Sequence, residues 1–215
     1  MVDAGTDWEN AYELEHTPWD LRGVTPPLQA LAEAGFFERL ELPEQARIAV
    51  PGCGRGHDLR VFGGLGYRVT GFDIARAVVR EARALLELNQ VAGDTQVLCR
   101  DVLALAPEFE EHFHLVYDYT SFCAIRPHLR ARFAATMAAI LQPGGWYLGL
   151  HFPMLESHAG KAGRPPHLIT DQALHQTLDE RFLLVDSFQP EDSDLGRVGA
   201  ERWYVWRKRP GPDPV

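Results

Sequence analysis

Several features that mark common protein classes are scarce in this chain. It has 3 cysteines in 215 residues, Cys53, Cys99 and Cys123, odd in number and widely spaced. Such a set supplies neither a disulfide framework nor the paired spacing of a zinc site, and it fits a reduced, cytoplasmic protein. Basic residues are also short, since 21 Lys and Arg against 30 Asp and Glu leave a net charge of −9. Without a basic face to release counterions from a phosphate backbone, nucleic acid is not an expected partner. No apolar run is long enough to cross a membrane, and no secretory signal precedes the first strand pattern. Repeats, low-complexity blocks and a visible catalytic triad are missing as well. What is present is an ordinary globular composition, 46% hydrophobic and 24% charged, in a chain long enough to bury one large core.

Strand and helix patterns alternate along that chain, which predicts an α/β fold with a mostly parallel, seven-stranded sheet and helices on both faces. Strands are expected at 46–51, 67–73, 95–99, 113–119, 146–152, 182–189 and 200–208. Helices are expected at 27–40, 57–66, 75–90, 127–141 and 170–180. The third of these carries Ala77, Val78, Ala82, Leu85 and Leu86 on one stripe. Gln142-Pro-Gly-Gly145 reads as a helix end followed by a turn. The last two strands have no helix between them, so they predict an antiparallel C-terminal hairpin. The reading is one domain over 1–210, with residues 1–26 as an N-terminal aromatic lid and a disordered tail at 211–215.

The most informative stretch is Ile48-Ala-Val-Pro-Gly-Cys-Gly-Arg-Gly-His-Asp58, followed by Tyr67-Arg-Val-Thr-Gly-Phe-Asp73. It reads as a buried strand, a glycine turn, a helix, and a second strand ending on a carboxylate. Glycine permits both a sharp turn and a close ligand approach, having no Cβ to obstruct either. Asp73 falls where it can accept hydrogen bonds from two ribose hydroxyls, so the unit suits an adenosine-containing cofactor. A dinucleotide site wants G-x-G-x-x-G. Here the spacing is G-x-G-x-G, and His57 stands where the third glycine is needed. A turn ending in the acid Asp58 suits S-adenosylmethionine, whose sulfonium and ammonium favour a nearby carboxylate.

Other candidates are weaker. His112 and His114 share a strand face but lack a third metal ligand in view, so no metal is expected. His151, His158 and His167 fall in or beside a Pro-, Gly- and His-rich loop at 153–168, which reads as a substrate lid. Cys123 has no base close in sequence and reads as a small buried hydrophobe. The arginines between Arg126 and Arg132 read as a solvated helix face.

Taken together, the motifs resemble the thiopurine-methyltransferase-like group of class I methyltransferases, and most closely the plant harmless-to-ozone-layer proteins. The resemblance runs from Trp8 to about Pro166. It rests on Trp8-Glu-x-x-Tyr12 with Thr17-Pro-Trp-Asp20, Val50-Pro-Gly-Cys-Gly-x-Gly-His-Asp58, Gly71-Phe-Asp-Ile74 and Asp101-Val102. Asp118-Tyr-Thr-Ser-Phe-Cys-Ala-Ile125, Leu141-Gln-Pro-Gly-Gly145 and Gly163-Arg-Pro-Pro166 complete it. It implies that Trp8, Tyr12 and Trp19 close over S-adenosylmethionine, that Gly52 lines the methionine end, and that Gly54 is a further cofactor-binding position. It further implies that Asp73 holds the ribose, that Asp101 and Val102 border the adenine, that Asp118 belongs to the cofactor shell, and that Tyr119 is the catalytic position. Two departures stand out. Tyr12 occupies a position where the plant proteins usually carry a second tryptophan, and His167 one where they tend to carry tyrosine.

An aromatic ring against a sulfonium or adenine is worth roughly 0.5–2 kcal/mol. The implied reaction is in-line methyl transfer to a small soft nucleophile such as a thiol, bisulfide or halide. Such an acceptor needs alignment and exclusion of water more than a strong base. Alternatives on the same fold are a heterocyclic thiol, as in thiopurine methylation, or a metalloid oxyanion. A nicotinamide-dependent oxidoreductase and a binding protein without turnover are the rivals from other classes. The expected partner is a small-molecule methyl acceptor, and a monomer would suffice.

Overall fold

A computed structural model describes residues 6–91, 94–161 and 163–210. The expected tail at 211–215 and the first five residues of the expected lid lie outside the described residues. The contacts divide the chain into two compact units, one running up to Val102 and including Glu191–Val198, the other comprising Leu103–Pro190 and the residues from Gly199 on.

The first unit contains α1 (Trp8–Glu13), α2 (Pro26–Glu33), β1 (Arg47–Pro51), α3 (Leu59–Gly64), β2 (Arg68–Asp73), α4 (Arg76–Leu88) and β3 (Thr95–Cys99). Its strands are parallel, in the order β3-β2-β1. Ile48, Ala49, Val50, Val69 and Phe72 are all buried, the continuous apolar run of strands covered on both faces. Ala77, Val78, Ala82 and Leu86 of α4 form the buried stripe, while Arg80, Glu81, Arg83 and Glu87 are exposed. One expected element is shorter than its pattern. The helix read at 27–40 ends at Glu33, because Gly35 takes a left-handed φ of +65° just past the cap. Phe36 and Phe37 are buried beyond that break, with Phe37 against Phe62 at 5.2 Å.

The second unit contains α5 (Ala106–Phe109), β4 (Phe113–Tyr119), α6 (Ser121–Ala124), α7 (Arg130–Ile140), β5 (Leu141–His151), α8 (Asp171–Leu178), β6 (Phe182–Phe188) and β7 (Arg202–Lys208). The order is β4-β5-β7-β6, with β4 and β5 parallel and both pairings of β7 antiparallel. The C-terminal hairpin is therefore present, with β7 as its inner strand. Trp203, Trp206, Tyr117, Tyr147, Phe122 and Phe133 fill the core. Gln142-Pro-Gly-Gly145 departs from the expected free turn. Leu141 pairs with Phe113 and Trp146 with Leu115, so residues 142–145 bulge out of a strand that has already begun.

Across the described residues the seven strands are mostly parallel with an antiparallel C-terminal end, as the sequence pattern predicts. No described helix is long and apolar enough to cross a membrane.

Candidate functional site

In the first unit the site begins at the turn after β1. Gly52, Gly54 and Gly56 all have positive φ, at +60°, +53° and +78°. At Gly54 and Gly56 space matters as well as φ. A Cβ on Gly54 would come 3.1 Å from Tyr12 Oη, and one on Gly56 would come 3.2 Å from Ala82 Cβ. The turn is tied to the end of β2, where Asp73 is 7% exposed. Its Oδ2 accepts from Gly54 N at 3.0 Å and its Oδ1 from Ala75 N at 3.0 Å. The Ile74 backbone also hydrogen-bonds this carboxylate. Burial raises the Asp73 carboxyl above its usual range, and the backbone N–H groups oppose that rise. Arg100 N donates to the Asp73 carbonyl at 2.9 Å, so half-buried Asp101 and Val102 leave β3 beside Asp73.

The aromatic lid is folded onto this turn. Tyr12 is buried with Ala75, Ala77 and Val78, and Trp8 and Trp19 pack against the same cluster. Trp19 meets Trp8 and Tyr12 edge-on at 5.3 and 5.8 Å, and its Nε1 donates to Tyr12 Oη at 3.2 Å. Three polar anchors unseen in the sequence hold the segment. Glu9 of α1 accepts from the backbone N–H groups of Arg76 and Ala77 at the N-terminus of α4, a favourable place for a carboxylate. Arg55, between Gly54 and Gly56 of the turn, lies over the Tyr12 ring at 5.5 Å and pairs with both Asp20 and Glu81. Buried Arg197 donates to the Trp19 carbonyl at 2.6 Å, which explains why residues 191–198 pack with this unit.

Asp58 departs from its expected role toward a sulfonium. Its two oxygens accept from Thr25 N at 2.8 Å and Thr25 Oγ1 at 2.7 Å, pinning the start of α2. Half-buried His57 lies 3.9 Å from Asp20, and burial lowers its pKa. What remains fits an adenosyl sulfonium. A buried carboxylate held by backbone N–H groups stands at a strand end, the turn is too close-packed for side chains, and aromatic rings cover it. The Arg55 cation is neutralised by Asp20 and Glu81.

The second unit carries Asp118 and Tyr119 at the end of β4. Asp118, expected in the cofactor shell, lies inside the protein. It is 1% exposed, accepting from Tyr147 Oη at 2.6 Å and from Phe122 N at 3.3 Å. Burial pushes its pKa up to about 6, against the hydrogen bonds from Tyr147 and the backbone of α6. Half-buried Tyr119 donates to Glu201 Oε1 at 2.6 Å. Thr120 follows with φ +62°, costly for a β-branched residue and a conformation that gathers at functional sites.

Arg130 corrects the reading of a solvated arginine face. It is 4% exposed, stacks on Phe122 at 4.7 Å, and donates to the carbonyls of His167 and Leu168. With His167 N donating to Cys123 O and Ile169 N to Pro153 O, it anchors the loop read as a lid. The three late histidines are dissimilar. His151 is 1% exposed in β5 among Phe122, Tyr147 and Tyr204, and burial lowers its pKa to about 3. His158 meets Phe152 edge-on at 5.9 Å, and His167 is half-buried at the loop's end. The Cys123 thiol donates to the Thr120 carbonyl inside the core. Among the described residues no group of three or more His, Cys, Asp or Glu is placed to hold a metal ion.

A family model described as thiopurine S-methyltransferase matches residues 3–209. A probable thiol methyltransferase 2 of Arabidopsis thaliana is 32% identical, over 94% of this chain and 84% of its own length. Thiocyanate methyltransferase 1 of the same plant is 31% identical with the same coverage. A thiopurine S-methyltransferase of Xanthomonas euvesicatoria is 28% identical over 86% of each chain. Among solved structures, the 1,6-didemethyltoxoflavin-N1-methyltransferase of Burkholderia thailandensis, bound to its substrate and S-adenosylhomocysteine, has a TM-score of 0.72 at 22% identity. The match covers 93% of this chain and 84% of that one, a likeness of fold.

Proposed function

The chain belongs to the thiopurine S-methyltransferase family, and on that premise we propose that it is a single methyltransferase domain over 1–210, using S-adenosylmethionine to methylate a thiol, bisulfide or halide. The observation that carries the acceptor class is the similarity to thiol and thiocyanate methyltransferases along nearly the whole chain. When bound, the donor supplies a methyl group on a sulfonium with a neutral leaving group. In this reading Asp73, oriented by backbone N–H groups, accepts from the ribose hydroxyls. Asp101 and Val102 border the adenine. Gly52 and Gly54 let the backbone approach the methionine end, and Trp8, Tyr12 and Trp19 exclude water. Tyr119 orients the acceptor. Fixing two reactants in line contributes on the order of 7–11 kcal/mol, so the chain needs little further chemistry. His57 at the third-glycine position speaks against a dinucleotide, and family membership removes the nicotinamide reading. The thiopurine acceptor remains the second reading, because a relative carries that name.

Parallel calorimetric titration with S-adenosylmethionine, S-adenosylhomocysteine and NAD tests the donor. Micromolar binding of both sulfur nucleosides and none of NAD is expected, and binding of NAD alone would overturn the reading. A product screen over alkanethiol, bisulfide, iodide and 6-mercaptopurine then tests the acceptor, and methylation of the heterocycle alone would move the assignment to the second reading.

A further inference from the structure

Within the lid of the first unit, the Tyr12 hydroxyl receives a hydrogen bond and returns none to the protein. Trp19 Nε1 donates to Tyr12 Oη at 3.2 Å, which uses the oxygen as an acceptor and turns the phenolic proton elsewhere. Among the described residues none accepts that proton. Tyr12 is 6% exposed, where a polar group ordinarily finds a partner. Its oxygen lies 3.1 Å from where a Cβ on Gly54 would stand, so the hydroxyl sits on the face of the glycine turn itself. Arg55 over the ring at 5.5 Å and Trp19 set perpendicular to it at 5.8 Å hold it there. Burial and the nearby Asp73 carboxylate raise the Tyr12 pKa, so the phenol keeps its proton at neutral pH. An O–H whose oxygen already accepts from an N–H is polarised into a better donor. In the reading above, the donor brings its ribose hydroxyls to Asp73 and its methionine arm to Gly54. On that arm the sulfonium and the ammonium are cations that accept nothing, whereas the carboxylate only accepts.

We propose that Tyr12 donates its phenolic hydrogen to the carboxylate of the donor's methionine arm, and so makes the chain selective for adenosyl compounds that carry that carboxylate. The inference rests on the methyltransferase reading above and names the group of the donor that the lid recognises. The lid lifts from the turn to admit the donor and closes with the Tyr12 hydroxyl toward it. Trp19 acts through Tyr12 as a positioning residue, since its N–H fixes the direction of the phenolic hydrogen. Sheltered from water, a neutral O–H donor to a carboxylate makes a charge-assisted hydrogen bond of the stronger kind.

The test is calorimetric titration of the full chain and of Tyr12→Phe with three thioethers. They are S-adenosylhomocysteine, its decarboxylated analogue, which lacks the carboxylate alone, and methylthioadenosine, which lacks the amino-acid arm. Tyr12→Phe should weaken S-adenosylhomocysteine by about 10–100-fold, the usual loss of a hydrogen bond to a charged group, and leave the other two within about twofold. The unsubstituted chain should bind S-adenosylhomocysteine more tightly than the decarboxylated analogue. Equal affinity for those two would overturn the proposal even if Tyr12→Phe fails to fold. Equal losses on all three ligands would mean that the hydroxyl braces Trp19 or meets the adenosine, and no loss on any would mean that it meets nothing. A loss shared by S-adenosylhomocysteine and the decarboxylated analogue, but not by methylthioadenosine, would put the hydroxyl on another group of the arm. Each of these results overturns the proposal and leaves the methyltransferase reading intact. Failure of the unsubstituted chain to bind any of the three would sink the donor reading and this inference together.

Discussion

The glycine turn of the first unit and the end of β4 in the second both gather polar groups at strand ends, by opposite means. At the turn, Asp73 is held by backbone N–H groups 19 positions before it and 2 after it. The nearby charges are exposed enough to be paired in water's reach, as Arg55 is with Asp20 and Glu81. At β4 the polar groups are side chains paired over long separations, 29 positions for Asp118 with Tyr147 and 82 for Tyr119 with Glu201. They sit in a core dense enough to drive His151 down to about 3 and Asp118 up to about 6. Backbone geometry makes the first region, and desolvation tunes the second.

That contrast can be broken most visibly at His151. Its folded pKa lies below the unfolded value of 6.5, so its contribution is complete above pH 6.5 and is lost as pH falls toward 3. The full difference is on the order of 4–5 kcal/mol, at about 1.36 kcal/mol per pH unit. Denaturant unfolding of His151→Gln should show a shallower acid slope than the parent, and matching slopes would refute the neutral buried imidazole.

Asp118 has the opposite sign. Its folded pKa lies above the unfolded value of 3.8, so stability is greatest below pH 3.8 and declines as pH rises through 6. From pH 4 to 6, Asp118→Asn should gain roughly 2 kcal/mol relative to the parent by the same linkage. A difference that stays constant with pH would mean the carboxyl is already ionised in the fold.

The third comparison sharpens the role of the first region. Asp73→Ala should weaken S-adenosylhomocysteine binding by about 2 kcal/mol, the usual worth of hydrogen bonds to a charged group, when followed by calorimetry. Unchanged affinity would leave Asp73 as a brace for the turn and nothing more.

Much of the fold was legible because its signals are local. Alternation of apolar runs and stripes located all seven strands, and the G-x-G-x-G spacing located a turn whose three glycines do take positive φ. Helix 27–40 was overread because a hydrophobic stripe continues through Phe36 and Phe37 while Gly35 has already ended the helix. Gln142-Pro-Gly-Gly145 was read as a free turn because nothing local reveals that Leu141 already pairs with Phe113. Arg130 was misplaced for a similar reason. An arginine among arginines on a helix reads as solvated, and only the loop carbonyls of His167 and Leu168 explain its burial. In the site, Glu9 stood inside a quoted motif with no role of its own, and Arg197 and Glu201 carried no motif at all.

Sequence alone determined the strand–turn–helix frame, the carboxylate at the end of β2 and the aromatic segment before β1, since each depends on neighbours within a few turns of chain. Tertiary structure decided that Asp58 serves Thr25, that Arg197 holds Trp19, and that Glu201 accepts a hydrogen bond from Tyr119. A side chain's hydrogen-bond partner and its desolvation are properties of what folds against it, and a linear pattern contains neither.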